Sequence, residues 1–139
     1  MEAYEKGGHA YHATMPTDVI VGFHAAMKET QAMGFEAAKA AQWALGRAVR
    51  GLLEAKGVVS VAADGFQAPG VVVSFTADAD VQNGSKFKAL GYQIAAGVPL
   101  QVGEGAEFRT FRLGLFGLDK LKDVDGTVAR LKAAVDQVL

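Results

Sequence analysis

The sequence predicts an α+β fold: a two-layer sandwich in which helices pack on one face of a three- to four-stranded, mostly antiparallel sheet. Apolar residues recur with helical spacing at both ends of the chain. Between them lie two strand-like stretches, residues 70–75 (GVVVSF) and residues 108–115 (FRTFRLGL). The resulting order, α-α-β-β-α-β-β-α, clusters the strands between helices, which is typical of this class.

The composition is that of one globular domain. The chain has 139 residues, of which 50% are hydrophobic and 21% charged. The net charge of −1, from 14 basic and 15 acidic residues, indicates no nucleic-acid partner. Cysteine is absent, which excludes disulfides and a thiol nucleophile and is compatible with the cytoplasm, where we expect the protein. No apolar run approaches the roughly 18 residues of a membrane span, so no membrane partner is expected.

The N-terminal third should contain two helices. Residues 1–13 are expected to be an irregular lead-in, the end of a preceding domain, and residues 14–139 the domain proper. Thr14 is predicted to cap the first helix, with Pro16 in its first turn and Gly34 at its end. The second helix should cover residues 35–56 and bury a face formed by Trp43, Leu45, Val49, Leu52 and Leu53.

The remaining elements alternate between strands and short helices. Asp123 is predicted to cap the last helix, and Asp119 and Lys120 should lie in a solvated loop. One face of such a sheet stays uncovered unless another domain or partner packs there. The other predicted elements are strands over residues 58–62, 70–75, 92–95 and 108–115, and a helix over residues 80–90.

Arg112 is the strongest candidate for a binding residue. It lies between apolar residues on a predicted strand, and a planar guanidinium there is suited to a two-point contact with a carboxylate. Arg109, three residues earlier, should point elsewhere. The alternative is an edge-strand arginine that reaches water or pairs with a structural acid, and spacing alone favours this alternative.

A second candidate site precedes the first helix. Tyr11, His12 and Thr14 could bind a phosphate there, because backbone N–H groups and the helix dipole attract anions. Ordinary helix capping explains Thr14 equally well. The histidines have no carboxylate at a recognisable ligand spacing, so no metal site is predicted.

Together these blocks resemble the C-terminal part of class V aminotransferases, which are fold-type I enzymes that use pyridoxal phosphate. The resemblance rests on residues 11–16 (YHATMP), two long helices, residues 111–117 (FRLGLFG) and a final helix that begins with an aspartate. It covers nearly the whole chain and is strongest for the alanine–glyoxylate and serine–pyruvate aminotransferases. The fold implied is the small domain of these enzymes.

The resemblance implies a role for each matching residue. Arg112 would bind the α-carboxylate of the amino-acid or 2-oxo-acid substrate. Tyr11 and Thr14 would reach the cofactor phosphate of the opposite subunit of a homodimer, with His12 beside them. The loop at residues 97–100 (GVPL) matches a segment near the mouth of the active site, although it lacks the usual double glycine of the family.

The resemblance also identifies what this chain lacks. The Schiff-base lysine, the aspartate of the pyridine nitrogen and the large cofactor-binding domain of the family lie upstream of the matched blocks, and Lys6 is too close to Tyr11 to replace that lysine. The chemistry needs such a lysine. We therefore expect no catalytic residue and no activity in this chain alone. The alternative function is a stand-alone, non-enzymatic binding or association module with the same fold.

Overall fold

The computed structural model describes residues 2–8 and 14–139. Contacts between residues group the chain into two compact units, Met1–Gly34 and Phe35–Leu139. The division thus falls after the first long helix, which belongs to the first unit, whereas the sequence placed a boundary after residue 13.

The first unit contains helices α1 (Glu2–Glu5) and α2 (Thr17–Met33). The expectation of an irregular lead-in is therefore wrong for α1, which forms a single helical turn. Helix α2 begins after Pro16, and no side chain caps it, so the predicted cap at Thr14 is also wrong. Gly34 ends α2 with a φ of 89°, a conformation that favours glycine.

Helix α3 (Phe35–Glu54) opens the second unit. Its buried residues are Leu45, Gly46, Val49, Arg50 and Leu53. Two members of the expected face are not fully buried: Trp43 is 38% exposed and Leu52 is half-buried. Arg50, which was not among them, is only 8% exposed.

The sheet has three antiparallel strands: β1 (Val71–Phe75), β2 (Ala95–Ala96) and β3 (Thr110–Gly114). Their order is β1-β3-β2, so the last strand in sequence is the central one. Val72 lies opposite Leu113 in the β1–β3 ladder. The predicted α+β fold with an antiparallel sheet is confirmed.

Two of the predicted strands are reduced. Residues 58–62 run beside β1 but contribute only one isolated bridge, between Ser60 and Ser74. The strand predicted at residues 92–95 is replaced by the two-residue β2, which Gly97 follows. The backbone of Gly97 lies so close to Thr110 that the chain has no room for a Cβ atom there.

The helix predicted over residues 80–90 is two short helices, α4 (Ala79–Gln82) and α5 (Ser85–Ala89). Gly84 interrupts them with a φ of 80°. The Asp78 side chain caps α4 by accepting hydrogen bonds from the backbone N–H groups of the first turn.

The chain ends in helices α6 (Leu118–Lys122) and α7 (Val124–Val138). Helix α6 occupies the stretch expected to be a solvated loop. Asp123 caps α7 as predicted, since its carboxylate accepts a hydrogen bond of 3.0 Å from the N–H of Gly126.

The core lies between the helices of the second unit and one face of the sheet. Burial alternates along β1 and over Phe111, Arg112 and Leu113 of β3, so one set of side chains faces the core and the other does not. Val73 and Arg112 belong to the second set. Whether another domain or partner covers that face stays a prediction. The buried apolar residues are Leu45, Val49, Leu53, Val72, Val81, Phe87, Phe111, Leu113, Leu115, Ala134 and Val135.

Candidate functional site

Arg112 lies in the middle of the central strand. Its neighbours across the ladders are Val73 on β1 and Ala95 on β2. The adjacent residues Phe111 and Leu113 are buried in the core, so the half-buried Arg112 side chain points to the opposite face of the sheet. This arginine therefore lies on the central strand, on the face of the sheet opposite the core.

The guanidinium of Arg112 makes one hydrogen bond, from Nε to the carbonyl oxygen of Ala96 at 2.8 Å. Within residues 2–8 and 14–139, neither of its Nη atoms has a hydrogen-bond partner and no carboxylate forms an ion pair with it. The strand is central rather than at an edge, and no structural acid neutralises the charge. The Nη groups are thus available to an anion, as carboxylate recognition requires.

Arg109 does not share this position. Its side chain donates from Nη1 to the carbonyl oxygen of Ala77 at 3.0 Å. Arg109 lies one residue before β3 begins, and this bond directs its side chain to the segment that follows β1. The two arginines therefore have different partners.

The loop that follows β2 is held in place at both ends. Gly97 packs against the backbone of Thr110, which fixes the chain directly after Ala96. Glu104 accepts hydrogen bonds from the backbone N–H groups of Leu100 and Val102. Hydrogen bonds from backbone N–H groups, first its own and then those of Val102 and Leu100, lower the pKa of the Glu104 carboxyl, so it stays ionised and keeps the loop closed.

A hollow of about 180 Å³ lies between α3, the chain from Val61 to β1 and the loop that follows β2. Val73, the neighbour of Arg112 on β1, forms part of its wall, and so does Leu100 from that loop. No local sequence pattern predicted this hollow, because its residues come from three separate segments. Its lining residues are Arg50, Val61, Ala62, Phe66, Ala68, Val71, Val73 and Leu100.

Arg50 is a second cation that local sequence patterns did not identify. Its Nη1 donates to Ser60 Oγ at 3.1 Å, and its Nη2 donates to the carbonyl oxygens of Ala68 at 3.0 Å and Val71 at 3.2 Å. Burial lowers the pKa of the Arg50 guanidinium, and the nearby Glu54 carboxylate opposes that change. These bonds tie α3 to the segment before β1, which gives Arg50 a structural role.

The other predicted site residues lie near the N-terminus. Tyr11 and His12 fall outside the described residues. Thr14 is exposed, three residues before the start of α2. Whether these residues meet Arg112 therefore stays a prediction.

Among the residues described, no lysine lines the hollow beside Val73, and no group of three histidine, aspartate or glutamate residues could hold a metal ion.

No protein-family model matches the chain, and no curated protein is similar enough to count as a relative. No helix within residues 2–8 and 14–139 is long and apolar enough to cross a bilayer.

Proposed function

We propose that this chain is the C-terminal part of a pyridoxal-phosphate-dependent aminotransferase that moves an amino group from an amino acid to a 2-oxo acid, of the alanine/serine–glyoxylate/pyruvate type. One observation carries the proposal. Arg112 stands on the central strand with no acidic partner among the described residues, and its Nη groups are available. A guanidinium in this setting is suited to the α-carboxylate that every amino-acid and 2-oxo-acid substrate shares.

In this proposal Arg112 orients the substrate and does not transform it. The hydrogen bond from Nε to the Ala96 carbonyl oxygen fixes the plane of the guanidinium, which reduces the entropy lost when a carboxylate binds. Tyr11, His12 and Thr14 would contact the cofactor phosphate bound to the partner subunit of a homodimer. A large domain would supply the lysine and hold the cofactor, which acts as an electron sink when bound.

The first test concerns the DNA upstream of Met1. An open reading frame that encodes a large domain with a suitable lysine supports the proposal. A stop codon and a ribosome-binding site directly upstream of Met1 contradict it.

The second test uses the intact enzyme. Arg112→Ala should raise the half-saturating concentration of the amino-acid substrate about 10- to 100-fold, because charge-assisted hydrogen bonds to the carboxylate are lost. The absorbance of the bound cofactor should not change. Arg109→Ala is the matched control, since the Arg109 side chain is bonded to Ala77 rather than to Ala96, and its loss should leave the half-saturating concentration unaltered. An unchanged value for Arg112→Ala contradicts the role of this residue.

A second candidate function, the stand-alone association module, is favoured by helix α2. This helix has no buried residue. Pro16, Val19, Ile20, Phe23, Ala26, Met27 and Thr30 share one side of it at helical spacing. The hydroxyl of Thr30 donates to the carbonyl oxygen of Ala26 at 2.8 Å, so the only polar group of this stripe is satisfied within the helix. A second copy of the chain is the partner we propose, because identical apolar stripes are self-complementary about a two-fold axis.

A further inference from the structure

We infer that Asn83 is a site of spontaneous deamidation that the native fold keeps unreactive, and that opening of the turn between α4 and α5 converts it to isoaspartate and aspartate. Asn83 is the only asparagine of the chain, and Gly84 follows it. Because glycine has no Cβ atom, its backbone nitrogen is the least hindered towards a neighbouring side chain. The inference is independent of the role proposed for Arg112.

The reaction is an attack of a backbone nitrogen on a side-chain amide. The Gly84 nitrogen forms a bond to Asn83 Cγ, the Cγ–Nδ2 bond breaks, and Nδ2 leaves as ammonia with the proton of the Gly84 nitrogen. Water then opens the cyclic imide: attack at Cγ gives aspartate, and attack at the backbone carbonyl carbon gives isoaspartate. Water is the sole co-reactant, and Asn83 is exposed to it.

The backbone conformation of Asn83, which ends α4, is the first barrier to this reaction. Its φ is −82° and its ψ is −7°. A ψ near zero makes the Gly84 nitrogen nearly eclipse the backbone nitrogen of Asn83, whereas ring closure needs it to eclipse Cβ. The Cα–C bond of Asn83 must therefore rotate before the two reacting atoms can meet.

Hydrogen bonds that hold both reacting groups are the second barrier. The Gly84 N–H donates to the carbonyl oxygen of Val81 at 3.2 Å, so the proton that must leave is engaged. Asn83 Oδ1 accepts from the N–H of Ser85 at 2.8 Å, which fixes the side-chain amide. Val81 and Phe87, on either side of the turn, are buried. The turn therefore opens only when core contacts are disturbed, which makes opening a rare event.

The isoaspartate product does not fit the native turn. Its backbone runs through the former side chain and is one carbon atom longer than that of an ordinary residue. Gly84 is buried, and a Cβ atom built on it would lie 3.0 Å from Cγ1 of Ile94, so the turn has little room for a longer chain. Deamidation of Asn83 is thus an irreversible record of turn opening.

The experiment follows deamidation of the full chain by peptide mass spectrometry at mildly alkaline pH, in buffer and in urea above the unfolding midpoint. The side-chain amide becomes a carboxyl group, and no other asparagine contributes to the signal. The folded chain should convert at least about tenfold more slowly than the unfolded chain, because only the opened turn reacts.

A pair of variants tests the turn itself. Asp78→Ala removes the carboxylate that caps α4, accepting from the N–H groups of Asp80 and Val81, and should speed conversion in buffer about fivefold. Asp125→Ala is the matched control, since it removes an exposed carboxylate from the first turn of α7 and should leave the rate unaltered. Circular dichroism checks that both variants are folded.

Each other outcome has a defined meaning. Equal rates in the folded and unfolded chains overturn the protection by the fold, and no conversion in the unfolded chain overturns Asn83 as the site. A rate for Asp78→Ala no higher than that for Asp125→Ala overturns the control by the turn. The isoaspartate form should have a lower urea midpoint than Asn83→Asp, which carries the new charge on an ordinary backbone. Equal midpoints contradict the misfit of the product.

Discussion

Arg50 donates from Nη2 to the carbonyl oxygen of Val71 at 3.2 Å, which joins α3 to the first residue of β1. Arg50→Met keeps most of the apolar stem but leaves two carbonyl oxygens and the Ser60 hydroxyl without their donor. These acceptors are half-buried or exposed, so each hydrogen bond to the charged donor contributes about 1 kcal/mol. We expect the free energy of unfolding, measured in urea, to fall by about 3 kcal/mol.

Arg47→Met is the control for this change. Arg47 lies three residues earlier on α3 and is exposed. Its replacement should alter the free energy of unfolding by no more than about 0.5 kcal/mol. Equal losses in the two variants would show that the bonds of Arg50 do not stabilise the fold.

Two glycines of α3 should respond in opposite ways to alanine. A Cβ atom on Gly46 would lie 2.7 Å from the carbonyl oxygen of Pro69, so Gly46→Ala must displace the backbone and should cost about 1–3 kcal/mol. A Cβ atom on Gly51 would meet nothing within 4 Å. Gly51→Ala should therefore stabilise the protein by up to about 1 kcal/mol through helix propensity. Thermal unfolding of both variants provides the measurement, and a stabilised Gly46→Ala would contradict the close contact.

Asp136 makes stability depend on pH in the acidic range. Its carboxylate pairs with Lys132 on α7 and, at 2.8 Å, with Lys56 just beyond the end of α3. Hydrogen bonds from Lys132 and then Lys56 lower the pKa of Asp136. Because the folded-state pKa is lowered, the ionised carboxylate stabilises the native state at any pH above the unfolded-state pKa of about 3.9. This stabilisation is lost as the pH falls through the folded-state pKa.

Asp136→Asn should therefore lower the urea midpoint at neutral pH and have little effect once the pH is below the folded-state pKa of Asp136. Glu107→Gln, which changes an exposed carboxylate with no ion pair among the described residues, is the control. If the urea midpoint of Asp136→Asn stays equally far below that of the unmodified chain in acid, the ion pairs of Asp136 are not the cause.

Self-association through α2 predicts a concentration-dependent mass in sedimentation experiments. Phe23 is 65% exposed at the centre of the apolar stripe, and Phe23→Asp should shift the chain towards the monomer because a buried charge would be unpaired in the dimer. Ala25→Asp places the same charge on the opposite side of the helix and should leave the mass distribution unchanged. A chain that stays monomeric at every concentration would exclude this association.

The sequence predicted best those features that depend on near neighbours. Asp123 caps α7 through a residue only three positions away, and Gly34 ends α2 through its own backbone conformation. The strand around Arg112 was also predicted, because its apolar residues are contiguous. Capping and periodicity are local, so they can be identified without knowledge of the rest of the fold.

Features that depend on distant contacts were not predictable in this way. The partners of Arg50 are 10, 18 and 21 residues away, and no pattern near Arg50 in the sequence indicates them. Residues 58–62 looked like a strand but only part of them reaches β1. Carboxylate binding at Arg112 stays a hypothesis from the sequence, whereas the hollow forms only when the fold brings Val73 and Leu100 together.

The central position of β3 has a consequence for the order of folding. Its partners β1 and β2 both precede it in sequence, and residues 76–109 must close before β1 and β3 can pair. Such long-range closure is entropically costly and slows folding. The surface around Arg112 is therefore complete only when the whole ladder has formed. A carboxylate that binds there would stabilise the native state relative to every partly folded intermediate. Binding of the carboxylate during refolding would therefore follow the formation of the complete sheet.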